Sequence, residues 1–214
     1  MTLYHGSGVI VTEPTIVVSQ KLSDFGPGFY TTNDEVKAWE RAQYVIRQKD
    51  AFLGSNLCFI SEYEIDLNDK SLKIKKFDAP NLEWLDQILK SHKHVPINDY
   101  DIVIGPVADA RAKKIIKSFS SQLKILQNDP KNEEEILILK KRTIANLIPK
   151  GKTYSQYVMI SPQAFEKIEY KKAYVFSDKG PLLQTINKNE LLDIQKLQKQ
   201  SKTTKPQLWK GFKR

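Results

Sequence analysis

Asp24-Phe25-Gly26-Pro27-Gly28-Phe29-Tyr30-Thr31-Thr32 is the most informative run in this chain. Two glycines flank a proline, which is turn chemistry, and the aromatic and β-branched residues that follow favour a strand. Thr32 and Glu35 then fit a capping box, opening a helix with Val36, Trp39 and Val45 or Ile46 on one face. Turn, strand and helix follow one another directly, and Tyr30 is delivered just upstream of a helix N-terminus.

Upstream, residues 3–5 make a short strand closed by Gly6-Ser7-Gly8, and residues 16–18 offer another. Downstream, residues 57–66 are rich in β-formers. Leu72, Ile74 and the alternating Lys73 and Lys75 predict their hairpin partner across an Asn68-Asp69 turn. Leu82, Leu85 and Ile88 or Leu89 give a helical stripe, and a loop at 96–98 leads into a buried strand, Asp101-Ile102-Val103-Ile104, ending at Gly105-Pro106. A helix over 109–119 should follow. Asp129-Pro130 supplies an N-cap and first helical residue for a helix to about 147. Glu133, Glu134 and Glu135 sit at the positive end of its dipole. Gly151 ends that region, residues 155–160 form a strand, Ser161-Pro162 caps a short helix to 165, and residues 173–176 supply the last core strand. The pattern is α+β. Residues 1–178 form one domain and residues 179–214 a basic appendage.

At 214 residues with 40% hydrophobic side chains, the chain buries roughly 70% of its unfolded surface, which excludes disordered and fibrous classes. A single cysteine, Cys58, excludes an intramolecular disulfide and a cysteine-rich zinc site, and suits a reducing, cytoplasmic compartment. The first seven residues carry neither a basic leader nor an apolar core, and no apolar run reaches the roughly 18 positions of a membrane helix, so neither export nor membrane insertion is expected. Thirty-four Lys and Arg against 25 Asp and Glu give +9, which favours polyanionic partners. His92-Lys93-His94 would place two imidazoles on one strand face. Two ligands without a cysteine do not make a metal site, and no metal is expected.

Three separated elements each place an unusual residue at a strand: His5 before Gly6-Ser7, Tyr30 after Gly26-Pro27-Gly28, and Gln156 in Gln156-Tyr157-Val158. This arrangement resembles the ADP-ribosyltransferase superfamily, in the His-Tyr-Glu branch of diphtheria toxin and the poly-ADP-ribose polymerases. Leu3-Tyr4-His5-Gly6-Ser7, the 24–32 run and the 101–109 run Asp-Ile-Val-Ile-Gly-Pro-Val-Ala-Asp are similar to a bacterial family known as DUF3990. The resemblance covers about residues 3–176.

It implies a split-sheet ADP-ribosyltransferase fold with NAD as co-substrate in a central cleft. By the family pattern Tyr30 stacks on the nicotinamide ring, Gly6 offers its backbone N–H and C=O to the carboxamide, and His5 hydrogen-bonds the adenosine ribose. Gly lets a ligand approach the backbone closely, and Ser7 adds a hydroxyl. Gly28 belongs to the same cofactor-binding set. Trp39 and Tyr44 either wall the nicotinamide pocket or pack in the core. Gln156 stands where the branch has a glutamate; it can hydrogen-bond a ribose hydroxyl but carries no charge and cannot act as a base. A carboxylate would then come from elsewhere, with Asp109 first and Asp101 behind it.

The resemblance implies transfer of ADP-ribose to a macromolecular acceptor, nucleic acid or protein, by the toxin of a toxin-antitoxin or anti-phage system, with an antitoxin protein as partner. The alternative is a non-catalytic NAD- or nucleic-acid-binding protein with a degenerate transferase cleft. Asn187-Lys188-Asn189-Glu190 fits a further capping box, with helix broken at Lys205-Pro206. Beyond Asp193 there is no acid, and Lys196, Lys199, Lys202, Lys205, Lys210, Lys213 and Arg214 alternate with Trp209 and Phe212. That composition serves either phosphate contact with base stacking or a solvated basic end. On the first reading, removing residues 194–214 leaves NAD affinity unchanged but weakens RNA or DNA binding and flattens its salt dependence; equal slopes in a salt titration of both proteins would exclude phosphate contacts by the tail.

Overall fold

The computed structural model describes residues 1–16, 23–53, 57–93, 99–150, 153–177, 182–187 and 190. Eight strands, β1 (Thr2–Ser7), β2 (Phe29–Thr32), β3 (Leu57–Glu64), β4 (Ile74–Lys76), β5 (Ile102–Pro106), β6 (Ser155–Met159), β7 (Glu169–Ser177) and β8 (Leu182–Asn187), join in the order β4-β5-β6-β2-β1-β3-β7-β8. The β4–β5 pair is parallel and the other neighbours are antiparallel. Helices α1 (Glu35–Leu53), α2 (Leu82–His92), α3 (Ala112–Leu126), α4 (Glu133–Leu147) and α5 (Pro162–Lys167) complete a mixed α/β fold. The two expected sheets are one, although its β1–β2 junction carries a single register pair, Tyr4 with Thr32.

Alternation along the strands divides the core into two faces. Leu3, Phe29, Tyr63, Ile102, Tyr157, Met159 and Ala173 line one, against Ala164 of α5 and the segment bearing Ile10 and Val11. On the other, Val103 and Val158 pack with Phe25, Trp84, Leu85, Ile88, Ile116 and Leu147, which belong largely to α2, α3 and α4. Ala42, Ile46 and Cys58 form a smaller cluster under α1.

Local chemistry sets the helix starts. Asn81 accepts from the Trp84 amide at 2.8 Å and Ser161 from Ala164 at 3.2 Å, while Asp129, accepting from Lys131 at 2.9 Å, caps a short 3-10 turn, Pro130–Asn132, that leads into α4, and not α4 itself as expected. Glu133, Glu134 and Glu135 occupy the first turn of α4, where its dipole favours anions. Asn187 N–H donates to Glu190 Oε2 at 3.1 Å, the return bond of a capping box.

Several expectations are corrected. The Leu72/Ile74 segment does not hairpin with β3; β4 pairs in parallel with β5, because β1 and β7 already occupy both edges of β3. The 173–176 strand is not the last: β8, placed in the appendage from sequence, pairs with β7 and buries Ile186. Asp34, not Thr32, caps α1, since its Oδ1 accepts from Lys37 N at 3.1 Å while Thr32 Oγ1 serves Asp34 N. The buried stripe of α1 is accordingly Ala38, Ala42 and Ile46, with Val36 exposed. His92 and Lys93 lie at the C-terminal end of α2 and not on a strand. Ile16 lies in no strand. Residues 17–18, the 96–98 loop, Gly151, His94 and the tail beyond residue 190 lie outside the described residues.

One contact sets the separation of α1 from the sheet. A Cβ on Gly6 would lie 1.7 Å from the Ala38 carbonyl oxygen, so the strand and the helix backbone touch there. At Gly8 the same atom would meet only the mobile tip of Ile46, at 2.9 Å. Gly6→Ala is expected to destabilise by roughly 2–3 kcal/mol, the scale of overpacking against unyielding backbone, and Gly8→Ala by about 1 kcal/mol at most. Denaturant midpoints of the two variants check this.

Candidate functional site

The open junction between β1 and β2 can be resolved to single peptide groups. Met1 and Ile65 exchange both backbone hydrogen bonds, at 2.6 and 3.0 Å. In an antiparallel ladder such exchanges recur at every second residue, so Leu3, His5 and Ser7 turn their peptide groups to β3, while Tyr4 and Gly6 turn theirs to β2. Tyr4 meets Thr32 there. Gly6 is not paired with β2, although a continuing ladder would match it with Tyr30. The Tyr30 carbonyl instead meets His5 Nδ1 at 2.7 Å. A side chain has thus replaced a rung, leaving the Gly6 N–H and C=O facing the seam.

His5 lies on the sheet face of Phe29, with ring centroids 4.5 Å apart. Its contact with a carbonyl requires Nδ1 to carry the proton, so Nε2 holds a lone pair and serves as an acceptor. Burial pushes the imidazole pKa below its ordinary value and the Arg41 charge adds to that, opposed by the bond to Tyr30; the ring is neutral at neutral pH.

Tyr30 stands on the opposite face. Its hydroxyl donates to Gly26 O at 2.7 Å and accepts from Phe25 N at 3.1 Å, closing the turn that precedes its own strand. Gly26 has φ +84°, which the glycine permits. Burial drives the phenol pKa well above its ordinary value, so the hydroxyl stays protonated as this turn requires. The aromatic ring, partly buried, is the part left to meet a ligand.

Gln156 pairs with Thr32 on β6, and alternation puts it on the face of Tyr30 and Gly6. Its amide nitrogen donates to Asp24 Oδ2 at 2.8 Å, and the same oxygen accepts from Ala108 N at 2.9 Å. Asp24 is therefore the carboxylate that the fold brings to the third motif. Desolvation raises its pKa above the ordinary carboxylate value, with the Ala108 and Gln156 hydrogen bonds and His92 pulling it back. Sequence reading missed Asp24 because it lies 132 residues from Gln156. The signal was present, since Asp24 opens the most specific run.

Asp109 and Asp101 have other work. The Asp109 carboxylate accepts from Arg111 N and Nε, both at 2.8 Å, and that guanidinium lowers its pKa, the reverse of what a base needs. Asp101 accepts from Lys73 N and Ser161 Oγ, tying the approach to β4 to the start of α5. The Ser7 hydroxyl bonds to Val9 O within its own turn. Gly28 is a packing glycine, whose Cβ would meet Val158 at 2.6 Å.

On α1, Tyr44 is 50% exposed and lies under Arg41 at 5.3 Å, so it is not a core residue. Trp39 Nε1 is buried without a hydrogen-bond partner among the described residues. Such an orphan donor costs about 1–3 kcal/mol unless another group meets it. The Arg41 charge acts on both His5 and Tyr154, and Lys37 lies 5.6 Å over the Tyr154 ring while paired with Glu40 at 2.8 Å. Two cations thus flank the seam, one of them without an acidic partner among the described residues. Among the described residues no cluster of three His, Cys, Asp or Glu side chains is placed to hold a metal ion, and no helix is long and apolar enough to cross a membrane.

No curated protein and no solved structure matches the chain. Residues 1–170 match a family described as a protein of unknown function, DUF3990; this match takes in His5, Asp24, Tyr30 and Gln156, and the chain belongs to that family.

Proposed function

We propose that the seam binds NAD and that the protein transfers ADP-ribose from it to a macromolecular acceptor, as the toxin of a toxin-antitoxin or anti-phage system. The observation that carries this reading is the missing rung between β1 and β2: a peptide N–H and C=O at Gly6, turned to an open seam opposite Tyr30. A primary carboxamide needs one acceptor and one donor side by side, and a peptide group on a strand edge offers both. The Tyr30 ring supplies an aromatic face for a cationic ring. His5 Nε2 accepts from a ribose hydroxyl, and Arg41 answers the pyrophosphate.

In the reaction, the bond between the nicotinamide nitrogen and the ribose carbon breaks with its electron pair moving to nicotinamide. An acceptor nucleophile bonds to that carbon and loses its proton to solvent water. Charge develops on the sugar, so rate comes from geometry and fixed dipoles more than from a protein nucleophile. Gln156 accepts from the neighbouring ribose hydroxyl.

His5→Ala and Tyr30→Ala are each expected to lower nicotinamide release at least about 30-fold, near 2 kcal/mol of transition-state stabilisation. Tyr30→Phe keeps the ring, and with it most of the rate, but lowers the melting temperature because the turn loses its pin. The rate falls with acidification through the depressed pKa of His5, since its protonation removes the Nε2 acceptor. Labelled NAD with whole-cell lysate, followed by separate protease and nuclease digestion, identifies the acceptor class. NAD binding without nicotinamide release in any lysate would leave a binding protein and exclude the transferase.

A further inference from the structure

The fold hands Gln156 a partner that its sequence position does not announce. Gln156 is 7% exposed, and its amide nitrogen meets a carboxylate that also takes the Ala108 amide. A carboxylate only accepts, so the orientation of the Gln156 amide is decided: nitrogen to Asp24, carbonyl oxygen away from it. Among the described residues no group donates to that carbonyl oxygen. We infer that Asp24 is the positioning residue for Gln156, turning its carbonyl oxygen toward the seam and polarising it, so that the pair acts as a two-residue acceptor for a sugar hydroxyl. The inference rests on the transferase reading and adds the source of acceptor strength in a site whose third motif is neutral.

Asp24 is held rigidly enough for this role. Its turn is closed by Gly26 N on Ser23 O at 3.2 Å and by the Tyr30 hydroxyl. The next side chain, Phe25, is fully buried and stacks on Phe77 at 5.8 Å. It fills the space above Gly105, where a Cβ would come within 2.9 Å of the ring. An amide that donates to an anion carries more negative charge on its own oxygen, and in a partly desolvated site this polarisation is less screened than in water. The charged and titratable groups facing Asp24 are His92 from α2, Tyr30 from β2 and Tyr154 ahead of β6.

Orientation and charge, the two parts of this role, can be separated, which gives the test. Nicotinamide release from NAD is measured at neutral pH with full-length wild type, Asp24→Asn, Asp24→Ala and Gln156→Glu, with lysate as acceptor source. In Asp24→Asn the Ala108 N–H still holds an oxygen against Gln156, so the amide orientation is kept while the polarising charge is lost, and the rate is expected to fall about tenfold. Gln156→Glu sets two carboxylates at hydrogen-bond distance, which cannot both ionise, and is expected to be impaired as well. Asp24→Ala removes the charge and the acceptor together, frees the Gln156 amide to turn, and should fall at least about threefold below Asp24→Asn.

The Asp24 pKa is raised in the folded protein, so the carboxylate detracts from stability once pH rises through that value. Asp24→Asn should therefore melt at or above the wild-type temperature at neutral pH, which separates lost activity from lost fold. His5 titrates on the acid side as well, so the variant series and not the pH profile is decisive. An active wild type whose Asp24→Asn variant keeps its rate overturns this inference alone, as does an Asp24→Ala variant no slower than Asp24→Asn. A folded wild type that releases no nicotinamide overturns the transferase reading and the inference with it.

Discussion

A single unpaired rung governs the centre of this molecule. β1 and β2 are neighbours, yet past Tyr4 and Thr32 they do not pair, and two independent contacts keep them from doing so. On one side Gly6 is pressed against the Ala38 carbonyl, which ties β1 to α1. On the other, the Tyr30 hydroxyl ties the start of β2 back to Gly26 and Phe25, and Phe25 is anchored over Gly105. Each strand is committed to its own support, and His5 satisfies the carbonyl left over. Buried backbone groups are almost always paired, so an interrupted ladder at the middle of a sheet marks a place shaped for something else.

Much of this was legible in the sequence because it is local. The Gly-Pro-Gly turn, the strand at Tyr30, the helix after it, the Asp129-Pro130 and Ser161-Pro162 starts and the β5 strand all follow from residues within a few positions of one another. What failed was pairing between distant segments. Lys73 and Lys75 alternate as an edge strand should, but alternation does not name the partner, and β4 found β5 in parallel. The same limit hid Asp24. A carboxylate beside Gln156 was sought after the strand that ends at Pro106, and Asp109 has the right spacing from it; only the folded chain shows Arg111 claiming Asp109 and the turn before β2 delivering Asp24.

The seam is also where the fold gives up stability. An indole N–H without a partner among the described residues, a carboxylate partly removed from water, an imidazole kept neutral by burial and a missing pair of backbone hydrogen bonds all lie on the elements that border it. None of these helps the chain to fold, and the indole N–H and the open rung are groups that a polar ligand would satisfy.

The order of strands has a consequence for how such a molecule can be assembled or cut. Taken along the chain, β1 lies on one side of the seam, β2 on the other, β3 back on the first, β4, β5 and β6 on the second, and β7 and β8 on the first again. Neither half is a continuous stretch of polypeptide, so the weakest line of the sheet is not a boundary between separable pieces. The two halves are laced together by their connections, which lets the seam part slightly without letting it come apart. The lacing also means that the half begun by β1 cannot finish during synthesis before β7 and β8 have been made, and a topology with so many distant pairings folds slowly for its size.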